Sequence, residues 1–241
     1  MSRFDLITFA DFRLLASEVA ARWIDWLEER QGAGPIHVAL SGGRVTSLFF
    51  AEIARQLGSA TSLIQPCHFF WADERCVPPE FPDSNYRVAR EGLFLPLKIR
   101  DPMIHRVRGE LPPVEGAAQA GAELRRVVPP NVDAPDAQPA LDLVFLGLGE
   151  DGHVASLFPG QIESPEQARQ TYWAVSGPKP PPNRVTLSYA AIIAAREVWV
   201  VASGAGKEAA LRESLADDGG TPLARVLQGR AATRVFSDIA L

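Results

Sequence analysis

The chain of 241 residues is 46% hydrophobic and 22% charged, an ordinary composition for a globular protein long enough to bury a substantial core. Its formal net charge of −5 argues against a general nucleic-acid binder and against a protein of anionic membrane surfaces, although a local cationic pocket for a small anion is still allowed. No apolar run approaches the ~18–20 residues of a membrane helix, and the first residues lack the pattern of a signal peptide. The two cysteines, Cys67 and Cys76, have no metal-like or redox-like spacing. We therefore expect a reduced, cytoplasmic protein without nucleic-acid or membrane partners.

The first half of the chain alternates helix-like and strand-like segments. Apolar residues recur at helical period from Asp11 to Arg30, and the glycines and proline over 32–35 end that helix. The pattern then predicts a strand over 36–40, a helix over 46–57, a strand over 67–71 and a short helix over 85–94.

The second half continues the alternation. A helix interrupted by glycines is predicted over 114–128, strands over 143–146, 172–175, 184–187, 198–202 and 233–236, and helices over 188–195, 207–215 and 222–228. Strands that alternate with helices indicate a mainly parallel sheet. The predicted fold class is therefore α/β, a Rossmann-like doubly wound sheet with helices on both faces, in a single domain over 1–241.

Four strand-like runs end in polar turns that are suited to ligand binding. The turns are Ser41-Gly42-Gly43, Asp73-Glu74-Arg75, the segment from Gly147 to His153 and the segment from Ser203 to Lys207. If the strands are parallel neighbours, all four turns lie along one edge of one sheet, where open α/β folds bind ligands. This convergence favours an enzyme.

The turn from Gly147 to His153 carries the clearest acid–base chemistry. It places Asp151 two residues before His153, so that the carboxylate can orient one ring nitrogen and leave the other basic. Neither the zinc motif H-E-x-x-H nor the nucleophile elbow G-x-S-x-G is present, so we expect no metal and, for hydrolysis, an activated water. The other histidines fall in apolar strand-like runs and are interpreted as core or edge residues: His37, His68 and His105.

Two glycine patterns are similar to nucleotide-binding motifs but do not satisfy them. The glycines over 147–152 match G-x-G-x-x-G, yet Pro159 and Gly160 cut short the long helix that this motif requires. The segment ending at Gly206-Lys207 lacks the first glycine and the Ser/Thr of a P-loop. We therefore expect no nucleotide cofactor.

Cations and backbone N–H groups near the same turns predict an anion site. Ser41-Gly42-Gly43 stands between a strand and a helix, as in a phosphate cradle made of a hydroxyl, backbone N–H groups and a helix N-terminus. Four cationic residues lie at strand–turn boundaries: Arg44, Arg75, Arg184 and Lys207. A phosphate monoester is the anion that such a set explains most easily. A solvated ion-pair turn at 73–75 and surface charges at 184 and 207 are the alternatives on the sequence alone.

Four segments of the chain form a set that is familiar from one enzyme family. They are Trp71-Ala72-Asp73-Glu74-Arg75, Asp83-Ser84-Asn85-Tyr86, the run from Leu146 to Gly160 (LGLGEDGHVASLFPG) and Asn183-Arg184-Val185-Thr186-Leu187. In sequence and in order this set resembles the 6-phosphogluconolactonases, from the N-terminal helix to the C-terminal strand. The long histidine-containing run is specific to the family, and the other segments are moderately so.

The resemblance implies hydrolysis of 6-phosphoglucono-δ-lactone to 6-phosphogluconate, in the pentose phosphate pathway, without metal or cofactor. It implies that His153 is the general base toward water, that Asp151 orients it, and that Asp73 and Arg75 line the reacting ring. It further implies a 6-phosphate site made of Ser41, Gly42, Gly43, Arg184 and Lys207. Anchoring the phosphate would fix the lactone carbonyl near the base.

One segment departs from the family pattern. Arg44-Val45-Thr46 stands where the family usually has Ser-Thr-Pro, so two hydroxyl donors near the phosphate are missing or moved. We expect Arg44 to compensate with charge-assisted hydrogen bonds.

Two other functions remain open. The glucosamine-6-phosphate deaminase/isomerase family resembles this one in fold and in the Asp-Gly-His turn, but its members typically have Asn-Glu-Pro after that turn and a tyrosine after the Asp-Glu pair. Here Ser156-Leu157-Phe158-Pro159 and Arg75 occupy those places. A non-enzymatic sugar-phosphate-sensing domain predicts an attached DNA-binding segment, which we do not expect, because no basic helix-turn-helix pattern precedes Phe4 or follows Phe236. The expected partner is a phosphosugar lactone, and the expected state is a monomer or weak dimer.

Overall fold

The computed structural model describes residues 3–231 and 233–241 and, among these, all side chains except those at positions 44 and 135. Its strands are β1 (Phe4–Thr8), β2 (Ile36–Leu40), β3 (Cys67–Trp71), β4 (Asp73–Arg75), β5 (Leu143–Gly147), β6 (Tyr172–Ser176), β7 (Asn183–Leu187), β8 (Glu197–Ala202) and β9 (Thr233–Ser237).

The helices are α1 (Phe12–Glu28), α2 (Arg44–Leu57), α3 (Asn85–Ala89), α4 (Pro113–Val127), α5 (Pro165–Arg169), α6 (Tyr189–Ala194), α7 (Glu208–Leu215) and α8 (Pro222–Gln228). A π-helical turn at Arg90–Phe94 continues α3. Five helices, α1, α3, α5, α6 and α8, are capped at their starts by side-chain oxygens that accept hydrogen bonds from backbone N–H groups of the first turn. The capping residues are Asp11, Ser84, Ser164, Ser188 and Thr221, respectively. Among the helices described, none combines the length and the apolar character that a membrane crossing needs.

Six strands of the described chain form a parallel sheet in the order β1-β9-β8-β5-β2-β3. From β2 the chain first forms β3 on one side, and later places β5 on the other side of β2. The direction of winding therefore reverses between β2 and β5, and open α/β sheets bind ligands outside the carboxyl ends of the strands at such a point. The predicted α/β class with a mainly parallel, Rossmann-like sheet is confirmed.

Three further strands form a small antiparallel sheet in the order β4-β7-β6. The prediction that residues 73–75 are a turn on the edge of the parallel sheet is therefore wrong, because they form β4 and pair with β7. The strands predicted at 172–175 and 184–187 exist as β6 and β7, but they too lie outside the parallel sheet. Charged residues have low strand propensity, and here ladder pairing together with the burial of Asp73 and Glu74 overrides it.

The core beside the carboxyl ends of β2 and β5 is aromatic. Trp23 of α1 and Phe49 of α2 pack against Phe145 of β5, with ring centroids 5.4 and 5.1 Å from that of Phe145. On the next strand, Trp199 lies 5.7 Å from the same ring. These large side chains exclude water between α1, α2 and the sheet. The turns that follow β2 and β5 therefore start from a rigid base.

Two elements differ from the sequence prediction at the level of local structure. Strand β1 was not predicted; it lies at the edge of the sheet, parallel to β9, and most of its side chains are partly or fully exposed. Helix α4 is continuous through Gly116 and Gly121, which were expected to weaken it. A Cβ at Gly116 would lie 3.1 Å from the Arg108 carbonyl oxygen, so the glycine lets this helix pack closely on its neighbours.

Candidate active site

A cavity of about 460 Å³ opens where β2, β5 and β8 end, a size typical of sites for small molecules. It is lined by most of the residues predicted from the sequence, namely Ser41, Gly42, Gly43, Asp73, Arg75, His153, Arg184 and Lys207. Asp151 is not one of the lining residues, but its carboxylate lies against the ring of His153, which is. The side chain at position 44 lies outside the part that the structure describes, so the expected compensation by Arg44 stays a prediction.

The turn after β5 presents His153 in a fixed orientation. The Nδ1 atom of His153 lies 2.5 Å from Oδ1 of Asp151, and the N–H of Gly149 donates to the carbonyl of His153 at 2.9 Å. A Cβ at Gly149 would lie 2.0 Å from that same Nδ1 atom. Gly152 has a φ of 81°, in the left-handed region that favours glycine. Glycine at 149 is thus required by the room that the Asp151–His153 pair needs, and glycine at 152 by its backbone conformation.

The hydrogen bond within the turn engages one ring nitrogen of His153 and leaves the other available to a ligand. Burial acts to raise the pKa of Asp151, but the hydrogen bond and positive charge of His153 outweigh it and hold the pKa of this carboxyl below its ordinary value. An ionised Asp151 holds the ring proton at Nδ1, which leaves Nε2 as the basic nitrogen. The ring also packs against Phe158, with centroids 4.9 Å apart. The pair is therefore built to take a proton from a small molecule in the cavity.

One face of the small antiparallel sheet supplies the charged wall of the cavity. Side chains alternate between faces along a strand, so Asp73 and Arg75 of β4 point to one side and Glu74 to the other. Directly opposite residues share a face, and the pairs are Asp73 with Thr186 and Arg75 with Arg184. Two guanidinium-bearing residues thereby stand side by side across the ladder. Like charges at directly opposite positions destabilise a sheet unless an anion lies between them.

The two arginines are held by backbone carbonyls rather than by acids. Arg184 is 6% exposed and donates from Nε to the carbonyl of Pro181 and from Nη2 to that of Lys179, each at 3.2 Å. Burial lowers the pKa of Arg184 from its ordinary value. Arg75 donates from Nη1 to the carbonyl of Asp83 at 2.7 Å, and its Nε is buried with no hydrogen-bond partner among the described residues. Both guanidinium groups therefore keep donor capacity for an anion.

The aromatic ring of Phe158 lies between the Asp151–His153 pair and this charged wall of the cavity. The guanidinium carbon of Arg184 lies 5.7 Å from the ring centroid of Phe158, and the same ring packs on His153. The imidazole and the guanidinium thus flank one side chain. A ligand anchored at Arg184 would reach His153 without crossing the cavity.

Glycine-rich loops at the ends of β2 and β8 complete the lining. Gly43 precedes α2 with a φ of 112°, and the start of α2 carries no side-chain cap among the described groups. Its first backbone N–H groups are therefore available to an anion, as at other helix N-termini. Lys207 lies at the start of α7, after Gly204 and Gly206, which both have positive φ. The predicted phosphate-binding residues are brought together, although their contacts with a ligand stay predictions.

Two residues to which the sequence analysis gave no role in the site contact Asp73. Ser156 donates from Oγ to Oδ2 of Asp73 at 2.6 Å, and Asn85 donates from Nδ2 to Oδ1 at 3.3 Å. On the opposite face of β4, the buried carboxylate of Glu74 accepts the N–H groups of Asn85 and Tyr86, each at 2.8 Å. Ser156 is the polar residue in an otherwise apolar stretch over 154–158, and that contrast was the available signal.

The remaining histidines lie outside the cavity lining. His37 and His68 are in β2 and β3, as interpreted, whereas His105 follows an isolated bridge between Ile104 and Phe69. The rings of His68 and His105 stack, and Nδ1 of the first lies 2.8 Å from Nε2 of the second. Among the residues described, no three His, Cys, Asp or Glu side chains are grouped so as to hold a metal ion.

A parallel α/β sheet with an acid–base pair and cationic, glycine-rich loops at its switch point is typical of enzymes that act on small phosphorylated molecules. The family model described as "Glucosamine-6-phosphate isomerases/6-phosphogluconolactonase" matches residues 10–235. The chain therefore belongs to the glucosamine-6-phosphate isomerase/6-phosphogluconolactonase family.

Relatives and solved structures of the family agree along most of the chain. A 6-phosphogluconolactonase of Streptomyces coelicolor is 34% identical over 242 residues, covering 98% of this chain and 92% of its own. The structure of a 6-phosphogluconolactonase from Trypanosoma cruzi superposes with a TM-score of 0.86 at 25% identity, covering 98% of this chain and 96% of that one. A probable chloroplastic 6-phosphogluconolactonase of Oryza sativa is 34% identical over 76% of this chain, and the match spans 57% of that longer protein.

Proposed function

We propose that this chain hydrolyses 6-phosphoglucono-δ-lactone to 6-phosphogluconate, a reaction of the pentose phosphate pathway. The observation that carries the proposal is the Asp151–His153 pair on a cavity that also presents Arg75 and Arg184. Lactone hydrolysis needs a base for water, and a 6-phosphate needs cations at a fixed distance from that base. The names of the family relatives support the same reaction.

Substrate binding is assigned to the loops and the small sheet. The phosphate lies at the Ser41–Gly43 loop and the start of α2, where backbone N–H groups and the helix dipole favour an anion. Arg184 and Lys207, which both line the cavity, neutralise its charge. Asp73 accepts hydroxyl hydrogens of the sugar ring. Anchoring both ends turns binding energy into orientation of the carbonyl toward His153.

The chemistry then needs one base, one acid and stabilisation of one developing charge. Nε2 of His153 takes a proton from water as its oxygen bonds to the lactone carbonyl carbon, and Asp151 stabilises the imidazolium. Arg75 stabilises the oxyanion of the tetrahedral intermediate. The intermediate collapses by breaking the bond from the carbonyl carbon to the ring oxygen, which receives the proton from His153 and becomes a hydroxyl. The product acid ionises, and His153 is again neutral.

Replacing the orienting carboxylate tests the division of roles within the pair. We expect Asp151→Asn to lower kcat/KM by up to about 10⁴-fold, because the ring remains but its orientation and tautomer are no longer held. A rate identical to wild type would show that Asp151 has no part in the reaction.

The reaction itself is tested with freshly made lactone and a deaminase control. We expect acid release from 6-phosphoglucono-δ-lactone well above an enzyme-free blank, which is essential because the lactone also hydrolyses spontaneously. The same preparation should release no ammonia from glucosamine 6-phosphate. Ammonia without acid release would establish the deaminase reaction instead. Binding of 6-phosphogluconate with neither reaction would favour a sugar-phosphate-sensing domain.

The proposal also covers cofactor use, cellular location, domain organisation, oligomeric state and partners. We propose that the reaction uses no metal or cofactor, because a carboxylate-held imidazole suffices to activate water. A reducing, cytoplasmic location suits Cys67 and Cys76, which are free thiols whose pKa values are raised by burial, to about 11 for Cys76. A single domain over 1–241, a monomer or weak dimer, and the absence of nucleic-acid and membrane partners stay predictions.

A further inference from the structure

The carboxamide of Asn85 lies between two parts of the candidate site that are far apart in sequence. Asn85 is 3% exposed, and its Nδ2 donates to the backbone carbonyl of Asp73 at 2.8 Å as well as to the Asp73 carboxylate. The other side of the amide packs against Gly42, in the loop that follows β2. The Asn85 side chain thus contacts both the loop after β2 and Asp73 on the charged wall of the cavity.

The contact with Gly42 is so close that no other residue type fits there. A Cβ at position 42 would lie 1.9 Å from Oδ1, 2.4 Å from Cγ and 2.8 Å from Nδ2 of Asn85. Gly42 is not among the glycines with positive φ, so its backbone conformation is open to alanine. Gly43 shows the opposite combination, with a φ of 112° and no atom within 4 Å of an added Cβ among the described neighbours. Glycine at 42 is therefore required by Asn85, and glycine at 43 by the backbone.

Asn85 is itself fixed from the opposite face of β4. Its N–H donates to Oε1 of Glu74, and the same oxygen accepts the N–H of Arg75 at 2.7 Å. Ser84 caps α3 and donates to Oε2 of Glu74 at 3.2 Å. Because Glu74 and Asp73 are neighbours on β4, the start of α3 is clamped to the strand that carries the acid. The Asn85 amide has little freedom to move away from Gly42.

We propose that Asn85 is a positioning residue that sets the distance between the Ser41–Gly43 loop and Asp73. This inference rests on the proposed function, in which the loop holds the phosphate and Asp73 contacts the sugar ring. In this arrangement Asn85 contacts neither the phosphate nor the sugar ring of the substrate. It determines whether both ends of one molecule meet their partners at the same time, and an error of about 1 Å in such placement can cost about 100-fold in rate.

A double-mutant cycle tests this role directly. We expect Asn85→Ala to lower kcat/KM by about 10–100-fold, with KM raised and kcat lowered together. Gly42→Ala should be at least as damaging, because its Cβ must displace the amide. In the double variant the Cβ enters the space that the amide has left, so its kcat/KM should equal that of Asn85→Ala alone. Losses that multiply in the double variant would overturn the inference.

Gly43→Ala provides the matched control. Its defect comes from backbone conformation, so Asn85→Ala should not relieve it and the two losses should multiply. Thermal unfolding of every variant separates loss of fold from loss of placement. If Asn85→Ala lowers the unfolding temperature while kcat and KM stay at wild-type values, the residue is structural only and the inference is wrong.

Measuring ligand affinity for the same set of variants separates this inference from the proposed function. The affinity of 6-phosphogluconate, measured by calorimetry, should follow the pattern of kcat/KM across the cycle. Coupling in binding without hydrolysis of lactone by the wild type would support the positioning role and refute the proposed reaction. Hydrolysis by the wild type with an additive cycle would refute the positioning role alone. A wild type that neither hydrolyses lactone nor binds 6-phosphogluconate would refute both.

Discussion

Replacement of His153 by alanine should remove most of the lactonase activity, by about 10²–10⁴-fold in kcat/KM, while the fold persists. The side chain lies in a turn at the cavity wall, where the Asp151 carboxylate holds Nδ1 and leaves Nε2 as the basic nitrogen. Loss of the imidazole leaves water without a base, whereas the phosphate site is untouched. We therefore expect the defect in kcat, with KM little changed, measured by acid release above the enzyme-free blank.

His68→Ala is the matched control for that experiment. His68 is a half-buried histidine in β3 that does not line the cavity, so its removal should leave kcat and KM at wild-type values. Thermal unfolding and circular dichroism of both variants check that the sheet is intact. A wild-type rate in His153→Ala, with the control also active, would exclude His153 as the general base and with it the mechanism proposed above.

The second large effect is expected from Arg184. Truncation of a buried group that pairs with a charged ligand costs at least ~2 kcal/mol, so Arg184→Ala should raise KM by about 30-fold or more while kcat falls less. The KM of Arg184→Lys should lie between those of the wild type and Arg184→Ala, since lysine keeps the positive charge but lacks the planar guanidinium group that can make two parallel hydrogen bonds. Lys207→Ala should raise KM by about 10-fold, because its flexible ammonium acts at the same phosphate. Saturation kinetics over a range of freshly made lactone measure all three.

Arg212→Ala serves as the control for these cationic variants. Arg212 is an exposed arginine in the last turn of α7, outside the cavity lining, and its removal lowers the net charge by the same amount as loss of Arg184. Its KM should stay at the wild-type value. If KM is unchanged in Arg184→Ala and Lys207→Ala, neither residue belongs to the phosphate site, and the anion must be held elsewhere.

The sequence predicted well those elements whose pattern is local. Strands β2, β3, β5 and β8 are short apolar runs bounded by glycine or polar residues, and both faces of such strands are buried in a parallel sheet. The edge strand β1 was missed because its exposure pattern has no regular period. Strand β4 was missed for another reason, since its three charged residues predict a turn and only pairing with β7 holds them extended.

The candidate site likewise contains some contacts that follow from local sequence and others that depend on distant residues. Asp151 and His153 are two residues apart in one turn, so their pairing follows from local geometry and was predictable from the sequence. Ser156 and Asp73 are 83 positions apart, and the contact between Asn85 and Gly42 joins the start of α3 to the loop after β2. Nothing in the local sequence around any of these four residues indicates that the members of each pair are in contact.

The sequence by itself determined the α/β class, the glycine turn that presents an imidazole beside a carboxylate, and the set of cationic residues available to an anion. Only the tertiary structure decided that Arg75 and Arg184 stand on one face of a separate antiparallel sheet, and that Asn85 fills the space a side chain at Gly42 would need. The physical reason is that hydrophobic period and turn chemistry act over a few neighbouring residues. Strand pairing and close packing, in contrast, join residues whose separation along the chain carries no information about their distance in space.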